Sequence, residues 1–437
     1  MKCSEVSINL LMIYITIMKK RFQQLTILIF SFLLVAISKT CFAQEEVDLK
    51  LPHGFSANIV AKNFGRVRHI AMHSNGDLFL KLERLFKGNG IIRLRDSNHD
   101  GIFDDTLAFG NYIGTGITIK DKYLYASSNS AIFRYTFNES NEIENIDNPD
   151  VIVEGLWDKR QHASKSIVLD NEDNIYVNIG APSNACQEND RQKGSPGMNP
   201  CPLLDSAGGI WQFKSNQFHQ SYSNGIRYAT GLRNVVGLDW NENENALYVM
   251  QHGRDMLFQF YPDLYNSKMG AELPAEEMFR IKKGADYGYP YCYYDQFQKK
   301  KILAPEYGGD GKIEGVCATK EKPLMAFPGH LAPNALLFYK GNQFPEKYKN
   351  GAFIAFHGSW NRNPENQEGY FVAFVPFKNG VPNGDWEIFA NNFAAVSEIK
   401  STRDAKHRPC GLAEGIDGSL YVSDDAKGYV WKIEFKK

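Results

Sequence analysis

Three clusters gather chemically capable side chains, two of them beside glycine. Gln161-His162-Ala163-Ser164-Lys165-Ser166 sets a histidine just before an apolar strand, Ile167-Val168-Leu169. A neutral imidazole at the mouth of a channel can take a proton from a hydroxyl, although a lone histidine also suits a solvated turn. Gly231-Leu232-Arg233-Asn234-Val235-Val236-Gly237-Leu238 offers a planar cation and an amide, a pair suited to carboxylate and carbonyl oxygens or to a turn salt bridge. In Gln251-His252-Gly253-Arg254-Asp255 the glycine lets a ligand or metal approach the backbone carbonyls of Gly253 and Arg254. Further candidates are His330, the run His357-Gly358-Ser359-Trp360-Asn361-Arg362, and His407-Arg408-Pro409. Arg233, Arg362 and Arg408 fall in equivalent loop positions and are expected to converge. Three guanidiniums at one place repel unless an anion lies between them, which predicts a channel that binds a small polyanion.

Repeats supply the frame. A turn followed by an apolar strand recurs at Asn75–Leu80, Lys122–Tyr125, Asp173–Val177, Asn245–Val249, Gly351–Ile354 and Asp417–Val422. Each has a second strand, at Ile91–Leu94, Ile132–Tyr135, Ile210–Phe213, Leu257–Phe260, Phe371–Phe374 and Val430–Ile433. Long helical periodicity is missing, and residues 44–437 divided by six give about 66 residues per unit, enough for a four-stranded blade with an insertion. The pattern predicts an all-β chain, one six-bladed β-propeller over 44–437, with Phe55–Val60 adding a strand to the last blade and closing the ring. Two β-sandwich domains are the alternative, but no linker separates them. The long loops, 181–208, 263–330 and 357–369, carry the site-like residues.

The 437 residues are 43% hydrophobic and 23% charged, with net charge −1, which disfavours nucleic acid as a partner. Lys19-Lys20-Arg21, the apolar run 25–37 and Cys41-Phe42-Ala43 read as a signal peptide over 1–43, cleaved near Ala43, with Met18 as an alternative start. An uncleaved anchor is the other reading. Cleavage implies a periplasmic or secreted protein of net charge about −5, with no membrane span in the mature chain. Export permits disulfides. Cys186 with Cys201 and Cys292 with Cys317 each bracket one insertion, leaving Cys410 as a thiol, though sequence alone does not fix connectivity. Asp96, Asn98, Asp100 and Asp104, with Gly101 at the sixth position, resemble the first part of an EF-hand loop. Leu107 replaces the closing glutamate, so a structural calcium competes with a plain solvated turn.

The whole resembles the soluble quinoprotein sugar dehydrogenases of the glucose/sorbosone dehydrogenase superfamily, nearest the sorbosone dehydrogenase-like branch. The segments that carry the likeness are Leu51–Phe55, the His162 cluster, Gly180–Cys186, Gly231–Gly237, His252–Asp255, Asp286–Pro290, His357–Arg362 and Arg408–Asp424. The resemblance implies a propeller holding pyrroloquinoline quinone (PQQ) and calcium. It makes His162 the base on a sugar hydroxyl, with hydride passing to the quinone and calcium acting as Lewis acid. Arg233 is implied as catalytic and cofactor-binding, with Asn234 and Arg408 on the cofactor. Arg362, His357 and His330 are further cofactor or substrate candidates, and Gly253 and Arg254 give backbone oxygens to calcium. Two departures stand out. Ala181 replaces an acidic residue that orients the histidine, and Arg254 replaces a proline in the calcium loop. The implied substrate is an aldose, polyol or aldehyde oxidised to lactone or acid, with an external electron acceptor. A calcium-dependent lactonase and a non-catalytic carbohydrate- or protein-binding propeller are the alternatives.

Overall fold

The computed structural model describes residue 18 and residues 47–436, so the signal peptide lies outside the described residues. The chain divides into units 1–48 and 49–437, and the second is the propeller. Among the described residues no helix is long and apolar enough to cross a membrane.

Six blade sheets follow one another, antiparallel except where Ala285–Asp286 joins the third in parallel, and a two-stranded ribbon, Cys292–Asp295 with Lys300–Leu303, lies in the long insertion. The first strands of the blades are Val67–Met72, Ile117–Lys120, Ile167–Leu169, Val235–Asn241, Pro333–Phe338 and Pro409–Glu414. They neighbour one another in sequence order, and the sixth returns to the first. The second strands of blades three, four and five, Asn174–Ile179, Ala246–Gln251 and Gly351–Phe356, are buried along their whole length. A strand covered on both faces by neighbouring blades reads as a continuous apolar run instead of an alternating one. The core is therefore a set of layers between blades. Tyr248, Met250, Ile354 and Phe356 fill one between the fourth and fifth, and Ile132, Ile152, Ile175 and Val177 fill one between the second and third.

Phe55–Ala61 pairs antiparallel with Val430–Phe435 and completes the sixth blade, as the sequence implies. The Phe55 ring meets Phe344, Tyr348, Phe389 and Phe435 at centroid distances of 4.9–5.5 Å. Joining the two ends of the chain in one sheet removes the edges an open ring would expose.

One expected strand is a helix. Leu257–Phe260 forms a single helical turn entered through Met256 in the left-handed region, and the fourth blade takes Glu276–Arg280 as its third strand. Leu257 and Phe260 are buried. That spacing of three suits a helix, and Leu257 packs on Leu273, Tyr293 and Ile302 under the insertion. Disulfides Cys186–Cys201 and Cys292–Cys317 staple the two long loops, and Cys410 is a buried thiol.

Ring closure makes a testable demand. Phe55→Ala should cost about 3 kcal/mol, read as a lower denaturant midpoint at unchanged m-value. An unchanged midpoint would mean the strand does not hold the ring.

Candidate functional site

In an antiparallel blade the start of the first strand and the end of the second lie on the same face. His162 and Ala181 flank the third blade in this way, Arg233 and His252 the fourth, Ala332 and His357 the fifth, and Arg408 and Asp425 the sixth. The topology alone therefore gathers side chains remote in sequence at one end of the axis. There they surround a cavity of about 570 Å³, walled by residues of all six blades, among them Arg68, Thr115, His162, Asn234, His357 and Arg408. Its size suits a small-molecule ligand.

His162 sits at φ 55°, and its Nδ1 lies 2.5 Å from the Ala181 carbonyl oxygen. A carbonyl only accepts, so Nδ1 carries the proton and Nε2 keeps its lone pair in the neutral ring. The orienting task falls to the backbone of the residue that replaces the acidic side chain. Burial, followed by the Arg233 charge, holds the imidazole pKa well below 6.5. Gly180 makes the approach feasible, since a Cβ there would lie 2.7 Å from His162 Cβ and 2.7 Å from Asn234 Oδ1. Asn234 Oδ1 accepts from Asn178 Nδ2 at 3.3 Å, which fixes the amide in the cavity wall.

Two more neutral imidazoles share the wall. His252 donates from Nε2 to the Pro333 carbonyl at 3.0 Å, and burial takes its pKa down to about 4. His357 donates from Nε2 to Asp425 Oδ1 at 2.7 Å and accepts on Nδ1 from Arg408 Nη2 at 2.9 Å. Burial and then Arg408 bring its pKa down to about 4, despite the adjacent carboxylate. Arg408 also donates to the carbonyls of His357, at 3.3 Å, and Gly358, at 2.5 Å. Arg68 donates from Nη1 to Asp425 Oδ2 at 2.7 Å, while its Nε is buried without a partner.

Of the three arginines expected to converge, the structure brings only Arg408 to the cavity. Arg233 is buried behind the wall. It donates to the Asn184 carbonyl at 3.1 Å, to the Gly253 carbonyl at 2.9 Å and to Asp255 Oδ2 at 2.8 Å. Asp255 also takes Arg191 at 2.7 Å, and these charges hold its carboxyl well below the usual range against the cost of burial. Arg362 is spent on the loop, on the carbonyls of Ala271 and Gly329 and on Glu272 at 2.6 Å. His330 is buried against the Gly270 and Leu273 carbonyls, both at 3.0 Å. Neither Arg362 nor His330 lines the cavity.

Sequence reasoning missed Arg68, Arg84 and Arg160, which line it. Arg68-His69 inside the otherwise apolar strand Val67–Met72 was the available signal. Against these cations the wall sets one acid, Glu83, already paired with Arg66 at 2.9 Å. A planar polyanion such as PQQ fits the cationic lining supplied by Arg68, Arg84, Arg160 and Arg408.

Calcium on the backbone oxygens of Gly253 and Arg254 does not fit the arrangement. The Gly253 carbonyl already accepts from Arg233, and a dication there would face that guanidinium. The loop from Asp96 to Asp104 is an exposed turn of the first blade. Its carboxylates accept its own amides: Asp96 those of Asp100 and Gly101, at 3.1 and 2.8 Å, and Asp104 that of Ser97 at 2.8 Å. Asn98 Oδ1 accepts from Asp100 N at 3.0 Å. Among the described residues, the one group of three metal-capable side chains within mutual reach is His357, Cys410 and Asp425. Arg68 and Arg408 beside it oppose a cation, and burial pushes the Cys410 thiol up to about 12.

Residues 49–436 match the family described as TrAA12-like. The chain belongs to that family. This TrAA12-like chain is 21% identical over 412 residues to a PQQ-dependent sugar dehydrogenase of Hypocrea jecorina, covering 87% of the chain and 88% of the relative. It is 26% identical over 281 residues, 55% of its length, to the PQQ-dependent pyranose dehydrogenase of Coprinopsis cinerea, and the match spans 37% of that longer protein. In fold it is similar to the calcium structure of the Trichoderma reesei AA12 enzyme, with TM-score 0.72, 18% identity and coverage of 90% and 98% of the two chains. It is similar also to the holo form of the Coprinopsis PQQ domain, with TM-score 0.70, 20% identity and coverage of 89% and 97%. The TrAA12-like chain is thus a six-bladed propeller whose homologues include PQQ-dependent sugar dehydrogenases.

The His162 geometry predicts a ring that stays neutral in acid. In the cofactor-free protein, carbon-13 NMR of labelled histidine, assigned with His162→Gln, should show no protonation of this ring as pH falls from 7 to about 5. A midpoint near 6.5 would show that the ring is solvated.

Proposed function

We propose that this TrAA12-like protein is a PQQ-dependent dehydrogenase that oxidises a CH–OH group of a sugar or polyol, taking the cyclic hemiacetal of an aldose to a lactone, the hydrate of a sorbosone-type aldehyde to an acid, or a polyol alcohol to a carbonyl. The observation that carries this reading is the bare Nε2 of His162 in a cavity walled by guanidiniums. When bound, PQQ supplies an ortho-quinone that accepts two electrons as hydride.

Arg408 and Arg68 would hold the cofactor's anionic groups, since both line the cavity. Asn234 adds an amide on the His162 side. His162 Nε2 takes the hydroxyl proton as the C–H bond breaks, and the Ala181 carbonyl steadies the imidazolium that forms. Its low pKa keeps the base unprotonated at neutral pH. Arg233 acts behind the wall. It fixes Asn184 and Gly253 and depresses the proton affinity of His162, so it serves as a positioning residue.

An external electron acceptor would be required to complete the cycle. A periplasmic or secreted location is supported by the two disulfides. The lactonase reading requires carboxylates free at the axis, whereas Asp425 and Asp255 are already ion-paired with Arg68 and Arg233.

Purified protein dialysed against PQQ should bind one equivalent and reduce a dye with a sugar donor. Arg408→Ala should weaken PQQ binding at least tenfold. His162→Gln should keep binding and lose roughly 10²–10⁴ in kcat. Absence of PQQ binding by the wild type would refute the proposal, and full turnover by His162→Gln would remove that residue as base.

A further inference from the structure

Trp360 is out of place on folding grounds. It is 53% exposed, while Phe356, His357, Asn361 and Arg362 around it are buried. Its loop is held from both sides. Ser359 Oγ donates to the His330 carbonyl at 2.9 Å, and Asn361 Nδ2 donates to Asp255 Oδ1 at 3.2 Å and to His330 Nδ1 at 3.1 Å. Arg362 is tied to two carbonyls and to Glu272. Gly358, at φ 76°, lies so close to Tyr370 that a Cβ would come within 2.4 Å of its ring. A loop braced this heavily, built around His330 and Arg362, keeps a large apolar ring facing water.

The ring lines the mouth of the cavity that contains His162 and Arg408. Arg191 lies over it at 5.9 Å from the centroid and is itself fixed by Asp255 at 2.7 Å. A rigid, half-exposed indole beside a polar cleft offers apolar area at little entropic cost. The flat C–H face of a pyranose matches it, while Arg191, engaged with Asp255 and Met256, stays with the protein beside the indole.

We propose that Trp360 is the platform on which the pyranose ring of the substrate stacks. This rests on the dehydrogenase reading above and adds the substrate contact that selects a ring-shaped sugar over an open polyol. His330, Arg362 and Asn361 are positioning residues for that platform.

The test separates the sugar from the cofactor. In PQQ-loaded protein, Trp360→Ala should raise KM for D-glucose and cellobiose about tenfold, equivalent to about 1.4 kcal/mol, with kcat and the PQQ dissociation constant unchanged. Trp360→Phe should recover most of the loss. Calorimetric titration of cellobiose into wild type and Trp360→Ala reads the same contact without turnover, so it decides the platform even if PQQ fails to bind. The proposal is overturned if wild type and Trp360→Ala do not differ in sugar affinity, if no sugar binds either protein, or if the substitution alters only the KM for the electron acceptor.

Discussion

Guanidiniums can crowd a narrow channel only if buried anions stand behind them, and this constraint organises the whole face of the propeller. Asp425, at the end of the second strand of the sixth blade, takes Arg68 from the first blade and His357 from the fifth. Asp255, just after the fourth, takes Arg233, Arg191 from the stapled loop and Asn361 from the fifth-blade loop. Breaking a buried pair of this kind by removing one partner typically costs about 3–5 kcal/mol, because the other charge is left in low dielectric. The two carboxylates therefore serve as joints between elements far apart in sequence. They also decide which positive charge remains for a ligand: Arg233 is consumed, whereas Arg408 touches carbonyls and an imidazole and keeps its charge toward the cavity.

The same balance sets the proton chemistry. Three histidines face the cavity, and each has one ring nitrogen fixed by a carbonyl or carboxylate on the protein side. In His357 the second nitrogen is used by Arg408, which leaves it to position that guanidinium. In His162 the second nitrogen is available. One residue type thus fills different roles through its partners alone, and burial first, then the cations nearby, keep both rings neutral.

Much of this was legible in the sequence for a physical reason. Blade strands are local and apolar, so the six units, the closing strand at Phe55–Ala61 and the two disulfide loops could be read from pattern and spacing. His162 was legible because it directly precedes an inner strand. What could not be read was where long side chains turn. Arg233 and Arg362 occupy the loop positions expected, but their acceptors, Asn184 and Asp255 for one and Ala271 and Glu272 for the other, lie on different loops. Arg68 was hidden because a charged residue in an inner strand reads as an interruption until the ring closes. Leu257–Phe260 satisfied strand and helix patterns equally, and the insertion packed against it decided for the helix.

The central claim is that the cationic cavity, with His162 on its wall, is the cofactor site. A crystal structure of the protein soaked with PQQ tests it most directly. The account predicts density for the quinone among Arg68, Arg408 and Asn234, with its reactive carbonyls on the His162 side. Density for the cofactor anywhere else on the propeller, with this cavity left to solvent, would contradict it.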